Sequence, residues 1–139
     1  MNPRTRLEHN LIAESEAYGY TLAVWGAGAL LIDAFGIPGV RAVLAYVGGA
    51  LVGFALLAEL AWEGIAAEMT VERTPTSRVA SAIHLLSTGG TLLVAHALIV
   101  AIAGADAGAL VAFLLVGVAV TTTYNLLLLV EEFLGGRLD

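Results

Sequence analysis

Four long stretches of this 139-residue chain contain no Asp, Glu, Lys or Arg. They are residues 17–32, 42–58, 79–105 and 107–130. A helix needs roughly 20 apolar residues to cross a bilayer core, and the two shorter stretches reach that length if Asp33 and Glu59 lie inside. Because hydrocarbon offers the backbone no hydrogen bonds, each stretch is expected to be helical. We therefore predict an all-α membrane protein with four transmembrane helices.

The composition also indicates a membrane protein. Hydrophobic residues make up 59% of the chain and charged residues 13%, whereas soluble domains have about 45–50% and 25%. Cysteine is absent, which excludes disulfides, thiolate metal sites and cysteine nucleophiles. All six cations are arginines, set against twelve carboxylates. Acidic, lysine-free polar segments are typical of a halophilic archaeon, although a GC-rich genome would give a similar composition.

We expect a single domain, residues 1–139, with spans at approximately 17–35, 40–65, 79–103 and 108–133. Residues 1–16 are expected to form a cytoplasmic or interfacial segment, either a short surface helix or an extension of the first span. Asn2-Pro3 is the pattern of a helix cap followed by proline at the first helical position. Asp106 is expected to cap the fourth helix. Short turns force antiparallel neighbours, which gives an up-down bundle.

The arginines predict an orientation in the membrane. With the N-terminus inside, the inner segments hold Arg4, Arg6, Arg73, Arg78 and Arg137, and the outer loops hold only Arg41. Cytoplasmic segments carry the excess of Lys and Arg in multi-pass membrane proteins. We therefore predict a multi-pass protein of the cell membrane with both termini inside.

Glu59 and His84 are expected at similar depth near the inner ends of the second and third spans. At 1.5 Å per residue both lie roughly 9 Å below the interface, with Glu131 slightly shallower on the fourth span. Ionisable groups inside a membrane usually face a protein interior or a wet cavity. Because histidine titrates near neutral pH, such a pair would be sensitive to protons. The alternative is that Glu59 merely reaches up to the cytoplasmic surface.

Polar side chains follow one face of the third span at i, i+3 and i+4 spacings. The members of this face are Ser81, His84, Ser87, Thr88 and Thr91. On the fourth span, the polar residues Thr121 and Asn125 share one face. We predict an ion or proton path formed by Glu59, His84, Thr88, Thr91, Thr121, Asn125 and Glu131. The alternative is that these groups only hold helices together, since Ser and Thr often bond their own helix. His96, about 120° around the helix from His84, would join only a broad cavity.

Small residues recur along the first two spans. Gly19 and Gly26 mark one face of the first span, and Ala45, Gly49 and Gly53 mark one face of the second. Small residues let membrane helices approach closely, so these faces are predicted to pack spans within a subunit or between subunits. Four helices enclose too little interior for a pore, and we therefore expect a homo-oligomer.

Motifs of known enzyme classes are absent from the sequence. It contains no HExxH zinc motif and no GxSxG elbow, and no basic patch indicates nucleic acid. Glu59, His84 and Glu131 have the ligand types for a metal site, but no cofactor is predicted. We predict a non-enzymatic, homo-oligomeric channel or transporter for a small ion or protons, surrounded by membrane lipid. The alternative is an accessory or scaffolding subunit of a larger membrane complex.

Overall fold

The computed structural model describes residues 2–61 and 79–135, which form four α-helices with two short turns. The helices are α1 (Pro3–Phe35), α2 (Val40–Leu60), α3 (Val79–Gly104) and α4 (Ala109–Gly135). No strand occurs in these two ranges, so the predicted all-α class is confirmed for them. The predictions for residues 62–65, Arg73, Arg78, Arg137 and the side chain of Ser81 lie outside what the structure describes.

Three segments are long and apolar enough to cross a membrane. They are Val40–Leu60, His84–Gly104 and Ala109–Leu134, each with a mean hydropathy of 2.0. α1 is not among them: its first half is charged, and its second half mixes apolar residues with glycine, tyrosine and Asp33. Large apolar side chains lie on the outside, among them Leu51 (66% exposed) and Leu93 (72% exposed). Apolar surfaces of this extent are rare on soluble monomers and are compatible with a multi-pass membrane protein.

α1 begins where the sequence predicts. Asn2 is its N-cap, with a side chain that accepts a hydrogen bond from the Arg4 backbone N–H at 3.3 Å, and Pro3 is the first helical residue. The helix continues without interruption to Phe35, so residues 3–16 extend it rather than forming a separate helix. Gly36 ends α1 at φ 83°, a conformation that glycine adopts without steric cost.

α4 begins close to the predicted start of the fourth span, but Asp106 does not cap it. Asp106 lies in the preceding turn at φ 54°, and the first residue of α4 is Ala109. The carbonyl of Gly108 accepts the backbone hydrogen bond from Ala112 at the start of the helix. The prediction that Asp106 caps α4 is therefore wrong. The left-handed conformation, which Asp tolerates better than most residues, turns the chain before the helix starts.

α4 is the central helix of the bundle. It packs against α1, α2 and α3, and α3 also packs against α1, whereas α2 and α3 do not contact one another within the described residues. Gly19 lies beside Thr88 and Gly26 beside Leu92, so α1 and α3 run parallel. The two turns, 36–39 and 105–108, therefore lie at one end of the bundle. We call this the turn end, and the opposite end the terminal end.

Glycines bring the backbones of α2 and α4 into contact. A Cβ placed at Gly49 would overlap the carbonyl oxygen of Leu114. One placed at Gly117 would overlap the carbonyl oxygen of Tyr46 in the same way. At Gly53 it would lie 2.9 Å from a carbonyl oxygen of α4. Because no side chain intervenes, the two helices cross at backbone contact distance.

The core of the bundle has an apolar half and a polar half. Toward the turn end, the buried side chains of the described residues are apolar: Ala27, Leu31, Ala95, Ile99, Ile102, Ala112, Phe113 and Val116. Among the described residues the buried polar side chains are Ser87, Thr91, Thr121 and Glu131; Ser87 and Glu131 lie toward the terminal end, and Thr91 and Thr121 lie roughly midway along their helices. This polar half is where the candidate site lies.

Candidate functional site in the polar half of the bundle

Glu131 is the one charged residue that is buried in the described part of the chain, with 3% of its surface exposed. Ser87 on α3 donates its backbone N–H to one carboxylate oxygen at 2.9 Å and its hydroxyl to the other at 2.5 Å. Both donors belong to a neutral residue, so these contacts supply hydrogen bonds rather than a counter-charge. A buried carboxylate is costly without such bonds, and Ser87 therefore stabilises it.

The local packing of α3 against α4 brings these two residues to the same level. Gly90 lies against Leu127, where a Cβ would come within 2.6 Å of the leucine Cδ1. The missing side chain lets α4 approach α3 closely. Glu131 is one turn beyond Leu127 on the antiparallel helix, and Ser87 is one turn before Gly90, so the two side chains meet.

Hydroxyl groups also hold α1 against α3 and α4. The Thr88 hydroxyl donates to the carbonyl oxygen of Gly19 at 3.2 Å. The hydroxyls of Tyr20 and Thr121 lie 3.1 Å apart in a second hydrogen bond. The rings of Tyr20 and Tyr124 pack with centroids 5.3 Å apart. Thr88 and Thr121, both predicted path residues, thus take part in helix packing in this structure.

Two further polar residues of α4 bond their own helix. The Asn125 side-chain amide donates to the carbonyl oxygen of Thr121 at 2.8 Å. The Thr122 hydroxyl donates to the carbonyl oxygens of Val118 at 2.9 Å and Ala119 at 3.2 Å. Bonds of this kind satisfy a hydroxyl or amide inside an apolar environment without a second helix. They favour a packing role for this part of α4.

Two buried polar atoms have no hydrogen-bond partner among the described residues: Nδ1 of His84 and Oγ1 of Thr91. Thr91 is fully buried and His84 is half-buried. Both are on the same helix as Ser87, one turn to either side of it. An unpaired buried polar group costs about 1–3 kcal/mol. On either side of the Ser87–Glu131 contact, α3 therefore carries one polar atom that forms no hydrogen bond with the described residues.

Glu59 lies apart from this group. It is exposed on α2, and α2 does not contact α3, which carries His84, in the described ranges. α4 packs against both helices and separates them. A Glu59–His84 pair is therefore not formed within one chain, and it stays a prediction that would require a second subunit. Glu131, on the helix next to α3, is the carboxylate that the fold places beside the polar face of that helix.

The predicted packing residues lie at helix contacts of different kinds. Gly49 and Gly53 face the backbone of α4. A Cβ at Gly19 would lie 2.6 Å from the Tyr124 hydroxyl, and one at Gly26 would lie 2.6 Å from a methyl group of Leu92. Ala45 is partly buried against the core. All of these contacts are within one chain.

The tyrosines are site residues that the sequence reasoning missed. The Tyr46 hydroxyl donates to the carbonyl oxygen of Val24 at 2.6 Å, which directly joins α2 to α1. Tyr20 and Tyr124 supply the contacts described above. A signal was present, because a phenol hydroxyl within an apolar stretch needs a hydrogen-bond partner. Tyrosines away from the ends of a span thus predict bonds between helices.

A metal centre is not assembled within one chain by the described residues. No three His, Asp or Glu side chains come together there as potential ligands. Glu131 and His84 lie on neighbouring helices, but Glu59 is on the far side of α4.

No protein-family model, no curated protein and no solved structure matches this chain.

Proposed function

We propose that this chain is a four-span protein of the cell membrane that forms a homo-oligomer and acts as a channel or transporter for a small cation or protons. The observation that carries the proposal is the buried Glu131 carboxylate on α4, which is hydrogen-bonded to Ser87 on α3. Beside Ser87 on α3, one polar atom each of His84 and Thr91 has no hydrogen-bond partner among the described residues. Ionisable groups inside membrane-spanning segments usually mark ion or proton pathways.

The packing of α1 supports a fourth span. Its residues from Gly19 onward lie against α3 and α4, side by side with two helices that are long and apolar enough to cross a membrane. Leu22, Trp25 and Ile32 on its outer surface are exposed, as lipid-facing residues would be. The arginine distribution supports an orientation with both termini inside, in which the terminal end faces the cytoplasm.

The chemistry of the polar half suits a small cation or a proton. Carboxylate and hydroxyl oxygens are the ligands that hard cations take in place of water. A carboxylate and an imidazole nitrogen can also accept and release protons. In both cases Glu131 is the group whose charge balances the transported ion.

The apolar half favours a transporter over an open pore through one chain. Polar buried residues extend from the terminal end only as far as Thr91 and Thr121, roughly midway along their helices. The remaining core toward Gly104 is apolar over about 20 Å at 1.5 Å per residue. An ion would therefore cross only after a rearrangement, or by a route between subunits.

Flux through the purified chain in liposomes, in strong salt, tests this proposal. A selective flux of protons or of one cation supports it. Absence of flux, from protein shown to be folded and oligomeric, contradicts it.

A second candidate is an accessory or scaffolding subunit of a larger membrane complex. The observation that favours it is that Thr88, Thr121, Thr122 and Asn125 hydrogen-bond within the chain, as packing residues do. α2 also presents an outer surface with Glu59 and large apolar side chains, which a partner helix would cover. Co-purification of a partner in a fixed ratio, together with absence of flux, would favour this candidate.

A further inference from the structure

The outward face of α3 carries a regularly spaced row of residues that the other described helices do not cover. Its members recur at alternating spacings of three and four residues, and we call them the α3 seam: Leu86, Gly89, Leu93, His96, Val100 and Ala103. All are exposed except Gly89, which is half-buried. This heptad spacing is that of paired helices packed at a shallow left-handed crossing, a geometry that most membrane bundles share.

Two adjacent glycines of α3 face different surroundings. Gly90 lies against Leu127 of α4, which accounts for its lack of a side chain. Gly89 has no atom within 4 Å of the position that a Cβ would take. Glycine weakens a helix interior relative to alanine, and no contact with residues 2–61 or 79–135 accounts for Gly89. At a seam between helices, a glycine lets a second backbone come close.

His96 is a polar group on an outer surface that is otherwise apolar. It lies inside the apolar segment His84–Gly104, about 12 Å from the turn end of that segment at 1.5 Å per residue. It is exposed, and it has no hydrogen-bond partner among the described residues. Ionisable side chains at such depth rarely face lipid and usually pair with another polar group. We therefore expect a partner of the α3 seam to form a hydrogen bond with the His96 imidazole.

We propose that the α3 seam is the surface through which two copies of this chain associate, with His96 of one copy hydrogen-bonded to His96 of the other. Copies in one membrane share an orientation, so their α3 helices would run parallel about a two-fold axis. Each seam residue then lies opposite the same residue of the other copy. This inference rests on the proposed membrane-spanning homo-oligomer and names its interface.

A second copy of the chain fits the α3 seam because the seam is complementary to itself. A neutral imidazole carries one N–H donor and one acceptor nitrogen, so two copies of His96 satisfy one another. The apolar members of the seam likewise meet apolar members, and Gly89 meets Gly89. Lipid tails would leave the imidazole unpaired. A single polar residue in an apolar seam also fixes the register of the two helices.

The absence of cysteine gives a direct test by cross-linking. A disulfide requires Cα atoms about 4.4–6.8 Å apart, so single cysteines report which residues lie at the axis. Leu93→Cys and Val100→Cys lie on the seam. Val94→Cys, on an exposed residue of the same helix, and Leu51→Cys, on an exposed residue of α2, are matched controls. The full-length chain in lipid vesicles should form cross-linked dimers several-fold faster from the seam positions. Equal rates at all four positions, or faster rates at a control, would overturn the proposal.

Substitution of His96 tests the hydrogen bond itself. His96→Leu removes both donor and acceptor, whereas His96→Asn keeps one of each kind. The dimer dissociation constant, read by energy transfer between labelled chains in vesicles, should rise about threefold for His96→Leu, the typical effect of one interhelical bond. His96→Asn should remain near the unsubstituted chain. A dissociation constant unchanged or lowered by His96→Leu would overturn the His96 pairing.

The cross-linking result is independent of transport. Flux without seam cross-linking would reject this interface and leave the proposed function in place. Seam cross-linking without flux would keep the dimer and reject transport.

Discussion

Ser87 donates two hydrogen bonds to Glu131, from its backbone N–H at 2.9 Å and from its hydroxyl at 2.5 Å. Each bond reaches a different carboxylate oxygen, so the carboxylate is held in one orientation between α3 and α4. Both residues are buried. The two hydrogen bonds therefore join α3 to α4 and hold the carboxyl group in place.

Ser87→Ala should lower the free energy of unfolding by about 1.5 kcal/mol, which is near the largest value seen for a hydrogen bond between membrane helices. The matched control is Thr122→Val, because among the described residues that hydroxyl bonds its own helix alone. Denaturant titration of both variants in the same detergent measures the difference. Equal losses in the two variants would contradict the interhelical role of Ser87.

The sequence places Glu59 and Glu131 at similar positions near the ends of their helices, but it could not predict which of them is buried. Both carboxylates lie near the terminal ends of apolar helices, and residue counting treats them alike. Which one faces the interior depends on the order in which the helices pack, and α4 lies between α2 and α3. That order is decided by backbone contacts at Gly49, Gly53 and Gly117, whose partners are far away in the chain. Small-residue spacing therefore identifies contact faces without identifying their partners.

Local signals in the sequence were more reliable than long-range ones. Asn2-Pro3 marks the start of α1 because capping depends on neighbouring residues alone. The Asp106 cap failed because the conformation of the turn before α4 was not readable from composition. The pairing of Ser87 with Glu131 depends on the antiparallel register of α3 and α4, which no local pattern encodes.

Two adjacent glycines of α2 should respond oppositely to alanine. Gly49→Ala places a methyl group on the carbonyl oxygen of Leu114, so backbones must separate, and a loss of about 1–3 kcal/mol is expected. Gly48→Ala meets nothing within 4 Å and should stabilise the helix by about 0.5–1 kcal/mol. Unfolding titrations of the two variants give the comparison. A Gly49→Ala variant as stable as Gly48→Ala would show that α2 and α4 are not in backbone contact.

Gly19 and Tyr124 should be energetically coupled. A Cβ at Gly19 would lie 2.6 Å from the Tyr124 hydroxyl. Gly19→Ala should therefore destabilise the chain by about 1–3 kcal/mol and should cost less in a Tyr124→Phe background, where the hydroxyl is gone. A double-mutant cycle measures this coupling, with Gly28→Ala, which meets nothing within 4 Å, as the control. Strictly additive effects would argue against the contact.

Tyr46 should stabilise the contact between α1 and α2 through its hydroxyl. Tyr46→Phe removes the 2.6 Å bond to the Val24 carbonyl but keeps the ring packed against Phe113. The expected loss is about 0.6–1.7 kcal/mol, the range for interhelical hydrogen bonds in membranes. Tyr18→Phe, at an exposed position of α1, should change the unfolding free energy by less. The reverse order of the two effects would refute the link.

The proposed role of the buried carboxylate is tested most directly by comparing flux through Glu131→Gln and Glu59→Gln chains in liposomes, beside the unsubstituted protein. Glu131→Gln keeps the size of the side chain and removes its charge, and it should lower selective flux by about tenfold or more. Glu59→Gln, at an exposed position on the far side of α4, should lower flux less than Glu131→Gln does. Unchanged flux through a folded Glu131→Gln chain would contradict the assignment of the transport site to the polar half.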